Sequence, residues 1–410
     1  MRKQILIVGA GFSGMWAALS AARLADKHQN DTIDITVIAP QPELRVRPRF
    51  YENAVQTLVA PLQPLFDETG VNFLRGTVAQ ILPDSKEVSW ADASGKTHLH
   101  RYDRLILASG SHVNRSLVTG ADAHAFDLDQ LESAAVLEQH LKDLANKEES
   151  AARNTVVVCG GGFTGIEMAL ELPGRLRDIL GADAKTRVVV VERGPQPGAR
   201  YSEELRNVII EASAELGVEW LVNTEVESVD ATGITLKDGQ TIASQTVIWT
   251  VGVQANDLTG QIDAPRDRQG RLHVNAQLQV VGHDDIYATG DVAYAATDDK
   301  GNHGVLFQNA AASVLALIAG KGRIAVCFFH ADCRRGLIFV SLFQRGSRRI
   351  ANQLCIMQGK RIANISFQHD FIKMQRALQV FILNAAKRHQ VIGINKIRVI
   401  VNGFFQLNNG

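Results

Sequence analysis

Apolar residues run without a break over Ile5-Leu6-Ile7-Val8 and stop at Gly9-Ala10-Gly11-Phe12-Ser13-Gly14. Midway along the chain Val156-Val157-Val158-Cys159 stops in the same way at Gly160-Gly161-Gly162-Phe163-Thr164-Gly165. A short β-branched run bounded by glycine predicts a strand buried on both faces, as in a parallel sheet. G-x-G-x-x-G directly after such a strand predicts a tight turn into a helix whose free N–H groups face a pyrophosphate. The first glycine permits the turn, the second lets backbone approach phosphate, and the third lets helix and strand pack closely. One such run is a weak signal. Two predict an α/β fold with two Rossmann-like dinucleotide-binding domains.

The pattern between the runs supports this reading. Residues 15–24 predict a helix with Ala17, Ala18, Ala21 and Ala22 where close approach to a sheet is needed, and Ile33–Ala39 predicts the next strand. An acid usually ends that strand and reads the adenosine ribose, but Ala39 stands there, and Glu43 reads as a solvated loop residue. Residues 43–60 combine Arg45, Arg47 and Arg49 with Pro48, Phe50 and Tyr51 and predict a loop leading into a helix. Its arginines suit either a phosphate or a solvated basic face. Strands are expected over 71–75, 78–82 and 87–90, then over 102–107, where Ser109-Gly110-Ser111 makes a turn of the kind that lies beside a nucleotide. Residues 129–147 have helical periodicity and predict a crossover.

After the second run, Arg187–Val191 reads as a strand ending in Glu192, where a ribose-reading acid belongs. A carboxylate accepts hydrogen bonds from a 2′-hydroxyl and repels a 2′-phosphate. NADH is therefore favoured over NADPH, although Arg193 beside it weakens the preference. Glu203–Leu216 predicts a helix and 217–221 a strand. Residues 225–229, 234–236 and 240–242 predict antiparallel hairpins around Asp238-Gly239, and 246–251 a strand ending at Gly252. A last strand ends in Ala288-Thr289-Gly290-Asp291, whose carboxylate can accept bonds from ribityl hydroxyls.

Composition excludes more than it assigns. With 46% apolar and 21% charged residues the chain is an ordinary globular one, so disordered and collagen-like classes drop out. The net charge of zero conceals an asymmetry. Residues 304–410 hold 15 Lys and Arg against 2 Asp and Glu, so the tail is near +13 and the remainder near −13. Cys159, Cys327, Cys333 and Cys355 show no metal spacing and no C-x-x-C, which predicts no metal site and a reducing, cytoplasmic setting. The first strand begins too early to leave room for a signal peptide, and apolar stretches such as 311–319 and 336–343 are too short to span a membrane. Nucleic acid is not an expected partner.

As an ordered set, the motifs resemble the two-dinucleotide-binding-domain flavoproteins of the pyridine nucleotide-disulfide oxidoreductase superfamily, and within it the type II NADH:quinone oxidoreductases. The resemblance covers residues 1 to about 310. It is carried by Gly9-x-Gly11-x-x-Gly14, Pro48-x-x-Tyr51-Glu52-x-Ala54, Tyr102-Asp103-x-Leu105-x-x-Ala108-x-Gly110-Ser111, Gly160-x-Gly162-x-Thr164-Gly165-x-Glu167, Val247-Ile248-Trp249 with Gly252, and Ala288-Thr289-Gly290-Asp291-Val292. It implies an FAD domain in two parts (1–125 and 263–310), a crossover (126–152) and an inserted NAD(H) domain (153–262).

FAD is then expected on Gly9, Gly11, Gly14, Ser109, Gly110 and Asp291, and NADH on Gly160, Gly162, Thr164, Gly165, Glu192 and Gly252. Glu167 matches the family's acid near the nicotinamide. Gln308, in Phe307-Gln308-Asn309-Ala310, matches part of the segment that lines the quinone site. The disulfide reductases carry a cysteine pair where this chain has residues 45–52, so a dithiol relay is excluded. Cys159 reads as core packing rather than as half of a sulfide-oxidising pair. The resemblance implies hydride transfer from NADH to FAD and then two electrons to a quinone. Peripheral membrane contact is expected with it, and a homodimer remains open. Reduction of a soluble carrier and a sensor without turnover are the alternatives.

Beyond about residue 310 the match fades. Residues 304–410 hold 10 of the 16 Phe and no Glu, and apolar and basic residues mix there without clear period. This predicts either a basic membrane-surface module or a stretch that has lost its original reading frame.

Overall fold

The computed structural model describes residues 2–296, together with the backbone of the strands at 303–304, 325–332, 337–344, 351–358 and 361–368. Two separate sheets carry the two glycine runs. In the first, strands lie in the order Ile286–Ala288, Arg104–Leu107, Lys3–Val8, Ile33–Ala39, Asn72–Leu82, Glu87–Asp92 and Thr97–Arg101. The first four pairings are parallel and the last two antiparallel. In the second sheet the order is Val218–Leu221, Arg187–Val191, Thr155–Cys159 and Thr246–Trp249, all parallel.

The chain leaves the first sheet after residue 107, completes the second, and returns at Ile286–Ala288 beside Arg104–Leu107. The outgoing strand Ser111–Val113 and the returning strand Val253–Ala255 pair with each other. Entry and exit of the inserted unit are thus laced together. The apolar runs became central strands because both faces are covered: Leu6, Ile7, Val156, Val157 and Val158 are all fully buried.

Several local expectations change. Residues 71–75 and 78–82 are one strand, Asn72–Leu82, which pairs in parallel with Ile33–Ala39 at one end and antiparallel with Glu87–Asp92 at the other. Gly76 marks the change of partner, since a Cβ there would stand 2.4 Å from the Ala91 carbonyl oxygen and 2.4 Å from the Trp90 ring. Gly217 caps a helix in the left-handed region rather than opening a strand. Residues 43–60 form no α-helix: Glu43–Arg45 pairs with Val59–Pro61, and single 3-10 turns fill the space between. Pro48 and the left-handed Ala54 interrupt any longer helix there.

Gln308 lies outside the described residues, as does most of the tail. The described strands at Ala325–Asp332, Leu337–Gln344, Ala351–Gln358 and Arg361–Gln368 form an antiparallel meander where the sequence pattern showed no clear period. Their β-branched and aromatic content suits strands without strict alternation. Among the described residues, no helix is long and apolar enough to cross a membrane.

Candidate functional site

Both glycine runs have the same geometry, dictated by the same contacts. Gly9 and Gly160 have φ of +107° and +111°. A Cβ on Gly14 would stand 1.9 Å from the Gly9 carbonyl oxygen, and one on Gly165 would stand 1.9 Å from that of Gly160. Those third glycines are there for packing. Gly11 and Gly162 differ, since a Cβ would meet nothing within 4 Å at either, and both are exposed. Their free side is where backbone can approach a ligand. The helices Phe12–Lys27 and Phe163–Leu180 begin at these positions, and among the described residues no side chain caps either N-terminus. Their first N–H groups can therefore bind a diphosphate. Thr164 is exposed in the first turn of the second helix. Phe163, 60% exposed, packs against Tyr201 at the same end, with ring centroids 4.3 Å apart and the rings tilted by 36°.

At the end of Arg187–Val191, Glu192 bends back over the second run. Its Oε2 accepts the Gly161 N–H at 2.6 Å and its Oε1 the Gly194 N–H at 2.7 Å. Gly252, with φ of +78°, turns the chain after Thr246–Trp249, and its carbonyl accepts the Asn114 N–H at 2.9 Å.

Asp291 lies beyond the first run, beside Ser109–Gly110–Ser111. Its Oδ2 accepts bonds from Ser111 Oγ at 2.7 Å and Arg47 Nη1 at 3.0 Å. Its Oδ1 is buried with no partner among the described residues, and so are Ser109 Oγ and Thr289 Oγ1. A buried polar atom without a partner is costly, so this cluster fits a ligand that brings hydroxyl and diphosphate groups. FAD meets that requirement.

Glu167 sits in the second turn of Phe163–Leu180. Burial, and then the nearby charge of Glu52, push its carboxyl up from 4.5 to about 7. Glu52 is itself clamped by Arg49, through Nε at 2.5 Å and Nη2 at 2.6 Å. The Tyr51 carbonyl accepts Arg175 Nη1 of the same helix at 2.9 Å, which holds this segment against the second domain. Burial together with Glu167 and Glu52 raises the Tyr51 phenol, which therefore stays protonated.

Each of the three arginines has an acidic partner. Arg45 pairs with Glu132, Arg47 with Asp129 and Asp291, and Arg49 with Glu52. Glu43 lies 3.8 Å from Arg45. Cys159 is buried and its thiol is pushed up to about 12, so it stays protonated and unreactive. The partnerships of Arg47 were not legible in the sequence, because Asp129 and Asp291 lie far along the chain.

Two laced α/β units with paired dinucleotide-type glycine turns define a flavin- and nicotinamide-dependent oxidoreductase. The family model for pyridine nucleotide-disulphide oxidoreductases matches residues 3–314, and the chain belongs to that family. It is 38% identical over 301 residues to an NADH dehydrogenase-like protein of Mycobacterium tuberculosis, covering 72% of this chain and 74% of that protein. It is 30% identical to a demethylphylloquinone reductase of Synechocystis (71% and 72% covered) and 28% identical to a type II NADH:quinone oxidoreductase of Staphylococcus haemolyticus (71% and 75%). The fold is also that of NDH2 from Plasmodium falciparum, solved with NADH, with a TM-score of 0.68 at 16% identity over 93% of this chain and 95% of that one. The chain is an FAD-dependent NADH oxidoreductase.

Proposed function

We propose that this oxidoreductase passes the two electrons it takes from NADH to a quinone, at the cytoplasmic face of a membrane. One observation carries the choice of acceptor. The segment 43–61 reaches both Asp291 and the helix of Glu167, yet holds no cysteine, and the Cys159 thiol is locked in its protonated form. Among the described residues, electrons leaving the flavin therefore have no dithiol to enter and need a diffusible acceptor. The Synechocystis and Staphylococcus relatives are named for quinone acceptors, which supports the reading.

FAD, when bound, supplies hydride acceptance from NADH and onward electron transfer. The chain's own residues supply binding and alignment. Gly9 and Gly14 shape the turn that aims helix Phe12–Lys27 at the flavin diphosphate, and Gly11 leaves room for it. Ser109 and Gly110 border the same site, and Asp291 Oδ1 accepts a ribityl hydroxyl. Gly160, Gly162, Thr164 and Gly165 do the equivalent for NADH, Glu192 accepts its ribose hydroxyls, and Gly252 closes the turn beside it. Glu167, titrating near neutrality, orients the carboxamide and can hold a proton there. Gln308 is assigned to the acceptor side from the family match alone.

The test is a visible spectrum of the purified full chain before and after NADH, followed by addition of a quinone. Bleaching by NADH and recovery with quinone are expected, together with salt-sensitive association with membranes. Recovery only with a soluble iron–sulfur protein, and no quinone reduction in either soluble or membrane fraction, would defeat the proposal.

A further inference from the structure

We propose that Arg47 is a positioning residue that couples flavin binding to the docking of the crossover between the two nucleotide domains. The inference rests on the reading of Asp291 as the flavin anchor. Three parts of the chain converge on this guanidinium. Nη1 donates to Asp291 Oδ2 at 3.0 Å and to Ser111 Oγ at 3.0 Å, and Nη2 donates to Asp129 Oδ1. Ser111 Oγ in turn donates to the same Asp291 oxygen. The carboxylates are largely withdrawn from water, with side-chain exposures of 12% for Asp291 and 7% for Asp129. Charge pairs in that setting fix orientation, and removing the cation leaves two buried acids facing each other.

The arrangement commits Oδ2 of Asp291 to Arg47 and Ser111. Oδ1 is left buried and without a donor among the described residues, as an acceptor open to a hydroxyl. The other end of the device reaches the inserted domain. Asp129 lies three residues beyond Phe126, whose N–H donates to the Val247 carbonyl at 2.8 Å and whose carbonyl accepts the Trp249 N–H at 2.7 Å. The crossover is therefore bridged at Phe126 to the edge strand Thr246–Trp249 of the nicotinamide-side sheet, and Arg47 ties that bridge to the flavin anchor. The same segment is held to helix Leu131–Asp143 at two further points. Arg45 pairs with Glu132, and Glu138 accepts the Ala54 and Val55 N–H groups. Because coupling between two sites is reciprocal, loosening the crossover must weaken flavin binding.

The experiment measures FAD release on dilution of the full-length holoenzyme for Arg47→Met, Asp129→Asn, the double variant, Arg47→Lys and Asp291→Asn. Each of the first two is expected to raise the FAD dissociation constant about tenfold, the double variant no further, and Arg47→Lys to recover part of the loss. Limited proteolysis within 114–130 should quicken in Arg47→Met and slow again with excess FAD. The decisive case is Asp129→Asn, since Asp129 does not touch Asp291. Wild-type FAD retention in Asp129→Asn, or additive losses in the double variant, would overturn the coupling while leaving the anchor intact. Full FAD retention in Asp291→Asn would instead overturn the anchor reading, and would be seen separately.

Discussion

Glu192 is bonded to the glycine turn it serves: its Oε2 accepts the Gly161 N–H at 2.6 Å, across 31 residues of sequence. With Oε1 on Gly194, the carboxylate is fixed before any nucleotide arrives. Glu192→Ala removes both the acceptor for a 2′-hydroxyl and the repulsion of a 2′-phosphate. The ratio of kcat/KM for NADH over NADPH is expected to fall by about tenfold to a hundredfold, the range for a hydrogen bond to a charged group. An unchanged ratio in steady-state assays would remove Glu192 from the ribose site.

The glycines of the second run should separate into two kinds. Gly165→Ala forces a Cβ to within 1.9 Å of the Gly160 carbonyl, so it should lower Tm and soluble yield. Gly162→Ala has open space and an ordinary φ of −76°, so Tm and flavin content should hold while KM for NADH rises several-fold. Thermal denaturation and NADH titration of both variants check the contrast.

Stability should depend on pH through Glu167. Its carboxyl titrates near 7 in the folded chain against an ordinary 4.5, so the folded state holds a proton that the unfolded state releases between those values. The stabilising contribution is complete below about 4.5 and is lost as pH rises through 7. Glu167→Gln should flatten this fall and gain about 1–2 kcal/mol at pH 8, discounted for the group's partial solvent access. Urea denaturation at pH 5, 7 and 8 measures it. A variant whose stability tracks the wild type across that range refutes the assignment.

Glu52→Gln bears on the same titration from the other side. Its charge raises the Glu167 carboxyl, so neutralising it should move the pH midpoint of flavin reduction by NADH downward. Stopped-flow bleaching from pH 5.5 to 8.5 reads the midpoint, and Glu167→Gln should abolish the transition altogether. A midpoint that moves upward would mean that Glu52 does not face Glu167 in solution.

What could be read in the sequence were the features encoded by neighbours. Val156–Val158 and Ile5–Val8 announced buried strands, and the helix Glu203–Leu216 fell where the sequence pattern placed it. The site glycines and Glu192 follow spacing rules that operate within one βαβ unit. Residues 43–60 take a structure that their own sequence does not encode, because it is imposed from elsewhere in the chain. Arg47 finds its partners 82 and 244 residues away, and Arg175 holds Tyr51 across 124. The continuous strand Asn72–Leu82 was divided for a related reason, since Gly76 looks like a break until Trp90 is packed against it.

The return of Ile286–Ala288 to the side of Arg104–Leu107 also sets an order of assembly on the ribosome. Every strand of the nicotinamide-side sheet, from Thr155–Cys159 to Thr246–Trp249, is synthesised before the last strand of the flavin-side sheet exists. Until then Leu105 and Leu107 lie on an open parallel edge, and Asp291 has not yet been made. Domains fold as units during synthesis, and pairings distant in sequence form slowly. The unit inserted in the middle is thus finished first, and the open edge beside Leu105 and Leu107 is covered only after the second half has closed.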